Sequence, residues 1–195
     1  MGKIFYIIGK SATGKDTIYE NICEDKTLGL IPIVMYTTRP IREGEIDGVT
    51  YHFVTEEEYV AIKESGKLVE EKSYSTMHGL WRYFTVYDKQ IDLENDYYIM
   101  TGVLKSFVSI RDYFGKDKVI PIYIEIDDGI RLERALKREL KKENRRFSEM
   151  CRRFLADAED FSEEKITEAK ITKRFENVNL EKCIEEVKAY IIDNK

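Results

Sequence analysis

The chain has 195 residues, of which 43% are hydrophobic and 35% charged, which suits a soluble globular protein of one domain, with room for inserted lobes and a sizeable core. The formal net charge of -5 argues against generic nucleic-acid binding. No apolar run reaches membrane-spanning length and the N-terminus carries no signal-peptide pattern, so a cytoplasmic protein without membrane or nucleic-acid partners is expected.

Cys23, Cys151 and Cys183 are three, odd in number and far apart, which suits free thiols rather than a disulfide frame or a zinc site. His52 and His78 are too few and too separated for a metal cluster and read as turn or surface residues.

Ile4 to Ile8 is an apolar run that reads as a strand. It leads into Gly9-Lys10-Ser11-Ala12-Thr13-Gly14-Lys15-Asp16-Thr17 and then a helix to about Cys23. Strand, glycine-framed loop and helix is the setting in which G-x-x-x-x-G-K means a phosphate-binding loop. The glycines permit backbone angles and close approach that a Cβ forbids. The loop's N–H groups and the helix N-terminus then favour an anion, and Lys15 supplies a full charge for the β- and γ-phosphates. The position after Lys15, where a metal-binding hydroxyl belongs, is Asp16, with Thr17 one residue late. Asp16 or Thr17 is therefore the expected Mg²⁺ contact, through water if not directly.

Leu28 to Val34 reads as a short strand broken by Pro32. Tyr36 to Phe53 is rich in turn formers and charges. Within it Arg39 and Arg42 bracket Pro40, which stiffens the backbone between them. Two guanidiniums held this way can grip one phosphate, and the alternative is a solvated loop with surface ion pairs. Thr55 and Glu58 form a capping box that predicts a helix from Glu56 to about Ser65, stopped by Gly66. Lys67 to Tyr74 alternates as a strand carrying Glu70 and Glu71, and Ser75 to Gly79 is a turn. Leu80 to Val86 and Gln90 to Leu93 read as the arms of a hairpin around Tyr87-Asp88-Lys89.

Tyr97 to Thr101 is a short apolar strand, and Gly102 opens a helix to about Phe114. Lys118 to Ile126 is a continuous apolar strand of the kind buried in a parallel sheet. A helix from about Asp128 carries Arg131, Arg134 and Arg138 on one side. These are either a solvated face paired with Asp127, Glu133 or Glu139, or a wall of cations facing a ligand. A polar break, Lys141 to Arg146, precedes a further helix with Arg152 and Arg153. Ala169 to Phe175 reads as the last strand and Leu180 to Ile192 as an amphipathic helix. The alternation implies an α/β fold: a mostly parallel sheet flanked by helices, with a mostly antiparallel insertion in the middle.

The phosphate loop followed by Thr37-Thr38-Arg39, Arg42, Gly44-Glu45, Gly48 and Tyr51-His52-Phe53 resembles guanylate kinase, matching its T-T-R-x-x-R-x-G-E-x-x-G-x-x-Y-x-F pattern. The resemblance runs in order along almost the whole chain, through Gly66-Lys67-Leu68-Val69-Glu70 to Glu176–Leu180. It implies a P-loop NTPase core (1–34, 94–130 and 160–195), a nucleoside-monophosphate-binding lobe (35–93) and a helical lid (about 131–159). It implies Mg²⁺-dependent transfer of the ATP γ-phosphoryl group to GMP by a monomer or homodimer. By the same resemblance, Arg39, Arg42, Tyr51 and Tyr83 hold the acceptor phosphate, and Glu70 with Thr85 reads guanine. Lys15, Arg138 and Arg153 are the catalytic cations. Arg134 and Arg138 close over ATP, and Asn177 lies on the adenine side.

Four departures from the family pattern stand out. Asp16 replaces the metal-binding hydroxyl, and Met35 stands where a guanine-contacting serine is usual. Thr101 is the only polar residue at a strand end that ordinarily carries carboxylates, which makes it the remaining acceptor-side candidate there. The Glu70–Tyr83 spacing is long and the Tyr83–Gly102 spacing short. The other readings of the sequence are a non-catalytic binding module of the same fold and a nucleoside monophosphate kinase with altered base preference.

Overall fold

The computed structural model describes residues 1–76 and 79–195. The elements in chain order are β1 (Ile4–Ile8), α1 (Lys15–Glu24), β2 (Leu30–Pro32), β3 (Tyr36–Thr37), β4 (His52–Phe53), α2 (Glu56–Glu64), β5 (Leu68–Thr76) and β6 (Gly79–Val86). They continue with β7 (Tyr97–Gly102), α3 (Leu104–Phe114), β8 (Val119–Glu125), α4 (Asp128–Leu140), α5 (Phe147–Asp160), α6 (Glu163–Glu168), β9 (Arg174–Glu176) and α7 (Leu180–Asp193).

Every residue of β1 is buried, as an apolar run without alternation requires of a central parallel strand. It pairs in parallel with β7 on one side and β8 on the other, within a five-stranded sheet of order β2-β7-β1-β8-β9. Side-chain alternation splits β1 between two cores. Ile4, Tyr6 and Ile8 face Leu104, Phe107 and Ile110 of α3, while Phe5 and Ile7 face Ile18 and Ile22 of α1 and Val187 and Ile191 of α7. Each such buried aliphatic or aromatic side chain stabilises the fold by about 1.5–3 kcal/mol. Helices therefore cover both faces, and the loop after β1 emerges at the sheet's carboxyl edge. This is the α/β architecture expected from the sequence.

A second sheet, of order β4-β3-β6-β5, is built from the 36–86 segment. β6 runs antiparallel to both β3 and β5, and β3 and β4 are parallel. α2 closes one side of it by placing Tyr59 on Phe84 and Val86. Both halves of its capping box form: Glu58 N–H donates to Thr55 Oγ1 at 3.2 Å, and Thr55 N–H to Glu58 Oε2 at 2.7 Å.

Two sequence expectations are corrected. The hairpin is β5–β6, with Thr76 opposite Gly79, and not Leu80–Val86 with Gln90–Leu93. Residues 87–96 form turns because Asp88 and Asp92 side chains capture the backbone N–H groups of Gln90 and Glu94, which competes with strand pairing. The turn expected at Ser75–Gly79 falls partly on Met77 and His78, which lie outside the described residues, as does the reading of His78. Finally, Ala169–Phe175 is not one strand. α6, capped by the Ser162 hydroxyl, ends at Glu168, and only Arg174–Glu176 pairs with β8. Ala169 and Ile171 are buried because they pack into the core from this irregular stretch, which mimics a strand's apolar content.

Among the described residues no helix is long and apolar enough to cross a membrane.

Candidate active site

The phosphate loop turns tightly between β1 and α1. Gly14 sits in the left-handed region at φ 90°, and a Cβ there would lie 2.3 Å from Asn177 Nδ2. A Cβ on Gly9 would lie 2.4 Å from the carbonyl of Ile124. Both positions thus require glycine for packing, and Gly14 for its angle as well. Thr13 is buried and its Oγ1 donates to the Lys10 carbonyl at 2.9 Å. Asn177 is also buried, and its Nδ2 donates to the Thr13 carbonyl at 2.7 Å while its Oδ1 has no partner among the described residues. Asn177 thus braces the loop from below, and Arg134 Nη2 donates to its backbone carbonyl at 3.0 Å.

Lys15 and Asp16 open α1. Lys15 Nζ lies 3.0 Å from Asp16 Oδ1, and the Asp16 carboxylate is exposed, as is Thr17. Ala12, Gly14, Lys15, Asp16, Thr17, Arg134 and Arg138 line one cavity of about 210 Å³. Lys10 turns away to Asp128 at 3.3 Å. The N–H of Ser11 donates to Asp157 Oδ2 of α5 at 2.8 Å.

A larger cavity, of about 420 Å³, is lined by the α4–α5 helical hairpin together with Ser11 of the phosphate loop and Arg42 of the segment between β3 and β4. Its lining holds six basic side chains, among them Arg42, Arg138 and Arg153, against two acidic ones, Glu139 and Glu149. Such an excess in a partly enclosed cleft focuses positive potential on an anion. Arg138 lines both cavities and so joins the phosphate loop to this cleft. The neighbour that the sequence paired with it on one helix side behaves differently. Arg131 is 1% exposed, stacks 3.9 Å from the Phe154 ring, and bonds Asp128 and Asp157 at 2.9 and 3.2 Å. Of the partners expected for a solvated arginine face, Glu133 pairs with Lys137 and Glu139 with Lys142, while Asp127 caps the start of α4.

On the small sheet, Arg39, Tyr51 and Tyr83 come together. Arg39 is 4% exposed, and its Nε donates to Tyr83 Oη at 3.1 Å. The Tyr51 ring lies 5.2 Å from the guanidinium and 5.7 Å from the Tyr83 ring. Both Nη atoms of Arg39 go to Glu45, at 2.7 and 2.5 Å, and the N–H of Arg42 also donates to Glu45 Oε2 at 2.8 Å. This bidentate pair pulls the Glu45 carboxyl down to about 2 and raises Arg39. Burial, then the neighbouring Tyr83 oxygen, raises the Tyr51 phenol. Arg42 is exposed, with its guanidinium 5.6 Å from the Trp81 ring. The two arginines are therefore not equivalent: Arg39 is buried and paired with Glu45, and Arg42 is exposed beside Trp81.

Glu70 and Thr85 are cross-strand partners, with Thr85 Oγ1 donating to Glu70 Oε1 at 3.2 Å. Ser106 Oγ donates to the other carboxylate oxygen at 3.0 Å. Thr101, at the end of β7, spends its hydroxyl on the Ile7 carbonyl at 3.1 Å. Lys72 shares the face of Glu70 two residues on, and burial lowers its ammonium. Asp157 and Ser106, whose partners lie far away in the chain, were not legible in the sequence, and Arg131 was legible only as one of three cations on a helix side. Glu45 stood inside the quoted pattern, three residues past Arg42, but had no role assigned.

Comparison with known proteins agrees with this geometry. The family model described as guanylate kinase matches residues 1–92. The guanylate kinase of Malacoplasma penetrans is 33% identical over 142 residues, 72% of this chain and 68% of the relative. That of Helicobacter hepaticus is 33% identical over 119 residues, covering 58% of this chain and 56% of the relative. The crystal structure of guanylate kinase from Anaplasma phagocytophilum superposes with a TM-score of 0.60 at 18% identity, over 98% of this chain and 85% of that one, which establishes the shared fold. Taken with the phosphate loop and the opposed arginine-lined cleft, these likenesses show that the chain belongs to the guanylate kinase family.

Proposed function

We propose that the chain transfers the γ-phosphoryl group of ATP to GMP, giving ADP and GDP. The observation that carries this reading is the shared wall of the two cavities. Arg138 lines the phosphate-loop cavity and also the cleft that Arg42 enters from the acceptor side. A donor phosphate at Lys15 and an acceptor phosphate at Arg42 would then meet beside Arg138 and Arg153.

Bringing two anions together in line is the main task, because the attacking phosphate oxygen needs no strong base. Lys15, Arg138 and Arg153 would neutralise the charge spread over the equatorial oxygens, and loss of one such contact typically costs about 10²–10³ in rate. Gly9 to Thr17 would cradle the donor phosphates, with Arg134 and Asn177 on the nucleotide side of the loop. Arg39, Arg42, Tyr51 and Tyr83 would hold the acceptor phosphate. Glu70 with Thr85 would read the base, and Thr101 lies at the same strand edge. In this reading residues 35–93 form the acceptor lobe and 131–159 the lid, whose closure excludes water.

Mg²⁺ fits the residues present only through a sparse set. Among the described residues no group of three or more His, Cys, Asp and Glu side chains could hold a metal, but magnesium needs only one or two carboxylates beside substrate phosphates and water. Asp16, an exposed hard oxygen ligand at the phosphate cavity, would hold it, with Thr17 adjoining. The ion would supply charge neutralisation between the β- and γ-phosphates.

The test is a coupled ADP-release assay with ATP, Mg²⁺ and each of GMP, dGMP, IMP, AMP, UMP and CMP. Turnover with GMP above the rest is expected. A second reading, a nucleotide-binding module without turnover, is favoured by the Lys15–Asp16 pair and by Thr101 in place of a carboxylate. Binding of ATP or GMP with no ADP release from any acceptor would establish it. Turnover led by another acceptor would mark an altered base preference.

A further inference from the structure

Glu70 is held from behind by Thr85, which the resemblance already placed beside it, and by Ser106, to which the resemblance gives no role. Its carboxylate accepts from Thr85 at one oxygen and from Ser106 at the other, at 3.2 and 3.0 Å. Ser106 is 3% exposed on the inner face of α3, the helix that packs against β5. Behind it stands Tyr6, a fully buried phenol in the middle of β1, close enough for electrostatic interaction with Ser106 and with the Glu70 charge. Its hydroxyl reaches this place by passing over Gly102: a Cβ on that residue would lie 2.3 Å from Tyr6 Oη. Edge contact with Phe107, 5.8 Å between centroids, fixes the ring. Glycine at 102 and tyrosine at 6 are therefore matched positions.

We infer that Tyr6 and Ser106 are positioning residues that set base selectivity, by holding the Glu70 carboxylate in one orientation for a purine edge with two adjacent N–H donors. This inference rests on the acceptor-site reading given above. The proton order follows from chemistry. Ser106 has a single hydroxyl proton, and it points to Glu70, so of the two hydroxyls only the Tyr6 phenol has a proton left to offer Ser106 Oγ. Burial, and then the charge of Glu70, pushes the phenol up, so it stays a donor throughout the neutral range. The chain Tyr6 to Ser106 to Glu70 is thus polarised in one direction, which strengthens each bond in a low-dielectric setting. An ionised carboxylate offers about four lone-pair sites, and the two hydroxyls occupy one on each oxygen. One site on each oxygen remains for the ligand. Guanine offers N1–H and the 2-amino group at that spacing, and hypoxanthine offers N1–H alone. With Met35 where a base-contacting serine is usual, and the Thr101 hydroxyl bonded to Ile7, discrimination falls on how rigidly Glu70 is held.

The experiment is calorimetric titration of GMP and of IMP into the wild-type chain, Ser106→Ala and Tyr6→Phe, with ADP release measured in parallel. Ser106→Ala is expected to weaken GMP about tenfold and IMP about threefold or less, the loss of one hydrogen bond to a charged group being of this order. Tyr6→Phe keeps the ring and its packing and should shift the GMP to IMP ratio the same way by about threefold. A merely structural role would weaken both nucleotides alike and leave that ratio unchanged. A ratio within twofold of wild type in both variants overturns the inference, whatever the turnover. GMP binding without ADP release overturns the kinase reading alone, and the ratio still decides this one. A wild-type chain that binds neither nucleotide overturns both.

Discussion

Removing the Asp157 carboxylate should loosen the α4–α5 hairpin from the phosphate loop. One oxygen of Asp157 accepts from the Ser11 N–H at 2.8 Å and from Arg131 Nη1 at 3.2 Å. Arg131 is 1% exposed, so its positive charge must be balanced by the carboxylates around it. A hydrogen bond to a charged group contributes about 1.5–3 kcal/mol. Stripping a buried charge of its only partner costs about 3–5 kcal/mol, but Arg131 keeps Asp128 at 2.9 Å. Asp157→Ala should therefore lower stability by about 2–3 kcal/mol, or roughly 5–10 °C in Tm for a chain of this size. Asp157→Asn keeps an acceptor for Ser11 and loses the charge, so about 1 kcal/mol is expected. Urea denaturation followed by circular dichroism reads both. No residue of α5 is fully buried, so the latch and the Phe154–Arg131 stack are its principal anchors. Proteolytic cleavage between residues 141 and 146 should accelerate in Asp157→Ala for the same reason. A loss under about 0.5 kcal/mol in both variants, with unchanged cleavage, would refute the latch.

The remaining expectations concern the cleft and its charges. Lys15→Ala and Arg138→Ala should each reduce kcat with GMP by about 10²–10³ while leaving Tm within a few degrees; retained turnover would remove either from the phosphoryl-transfer machinery. Glu45 titrates near 2 in the folded chain against an ordinary 4.5. Its stabilisation is therefore complete above the ordinary value and is lost as pH falls through the folded one. The difference in urea midpoint between wild type and Glu45→Gln should be flat near neutrality and shrink between pH 4.5 and 2; a constant difference across that window would show that Arg39 does not depend on the Glu45 charge. Asp16→Ala should raise the Mg²⁺ concentration needed for half-maximal turnover, and an unchanged magnesium titration would take Asp16 out of the metal site.

Much of this molecule is written locally. The apolar run of β1, the glycine frame of the phosphate loop, the Thr55–Glu58 capping box and the glycine-stopped helix before Gly115 depend on residues within a few positions of one another. Their physics can be read without a partner. The Thr37-to-Phe53 pattern likewise marked Arg39 and Tyr51, which the small sheet brings together. Where local chemistry was ambiguous, the reading failed. Residues 87–96 had strand-like content, but their aspartates bonded the nearby backbone instead, and the Ala169–Phe175 stretch was apolar because it fills the core, not because it pairs.

The roles of charged and hydroxyl side chains were decided by the tertiary structure. Arg131 and Arg138 share a helix face and a residue type, yet one is buried under Phe154 and the other lines both cavities. Nothing in α4 distinguishes them; the opposing helix does. Asp157 meets Ser11 across 146 residues, and Ser106 meets Glu70 across 36. Such pairs exist only once parallel strands and their crossover helices have brought separate segments to the same edge of the sheet. A hydrogen bond is short-ranged and directional, so its partner is chosen by the fold and leaves no periodic trace in the chain.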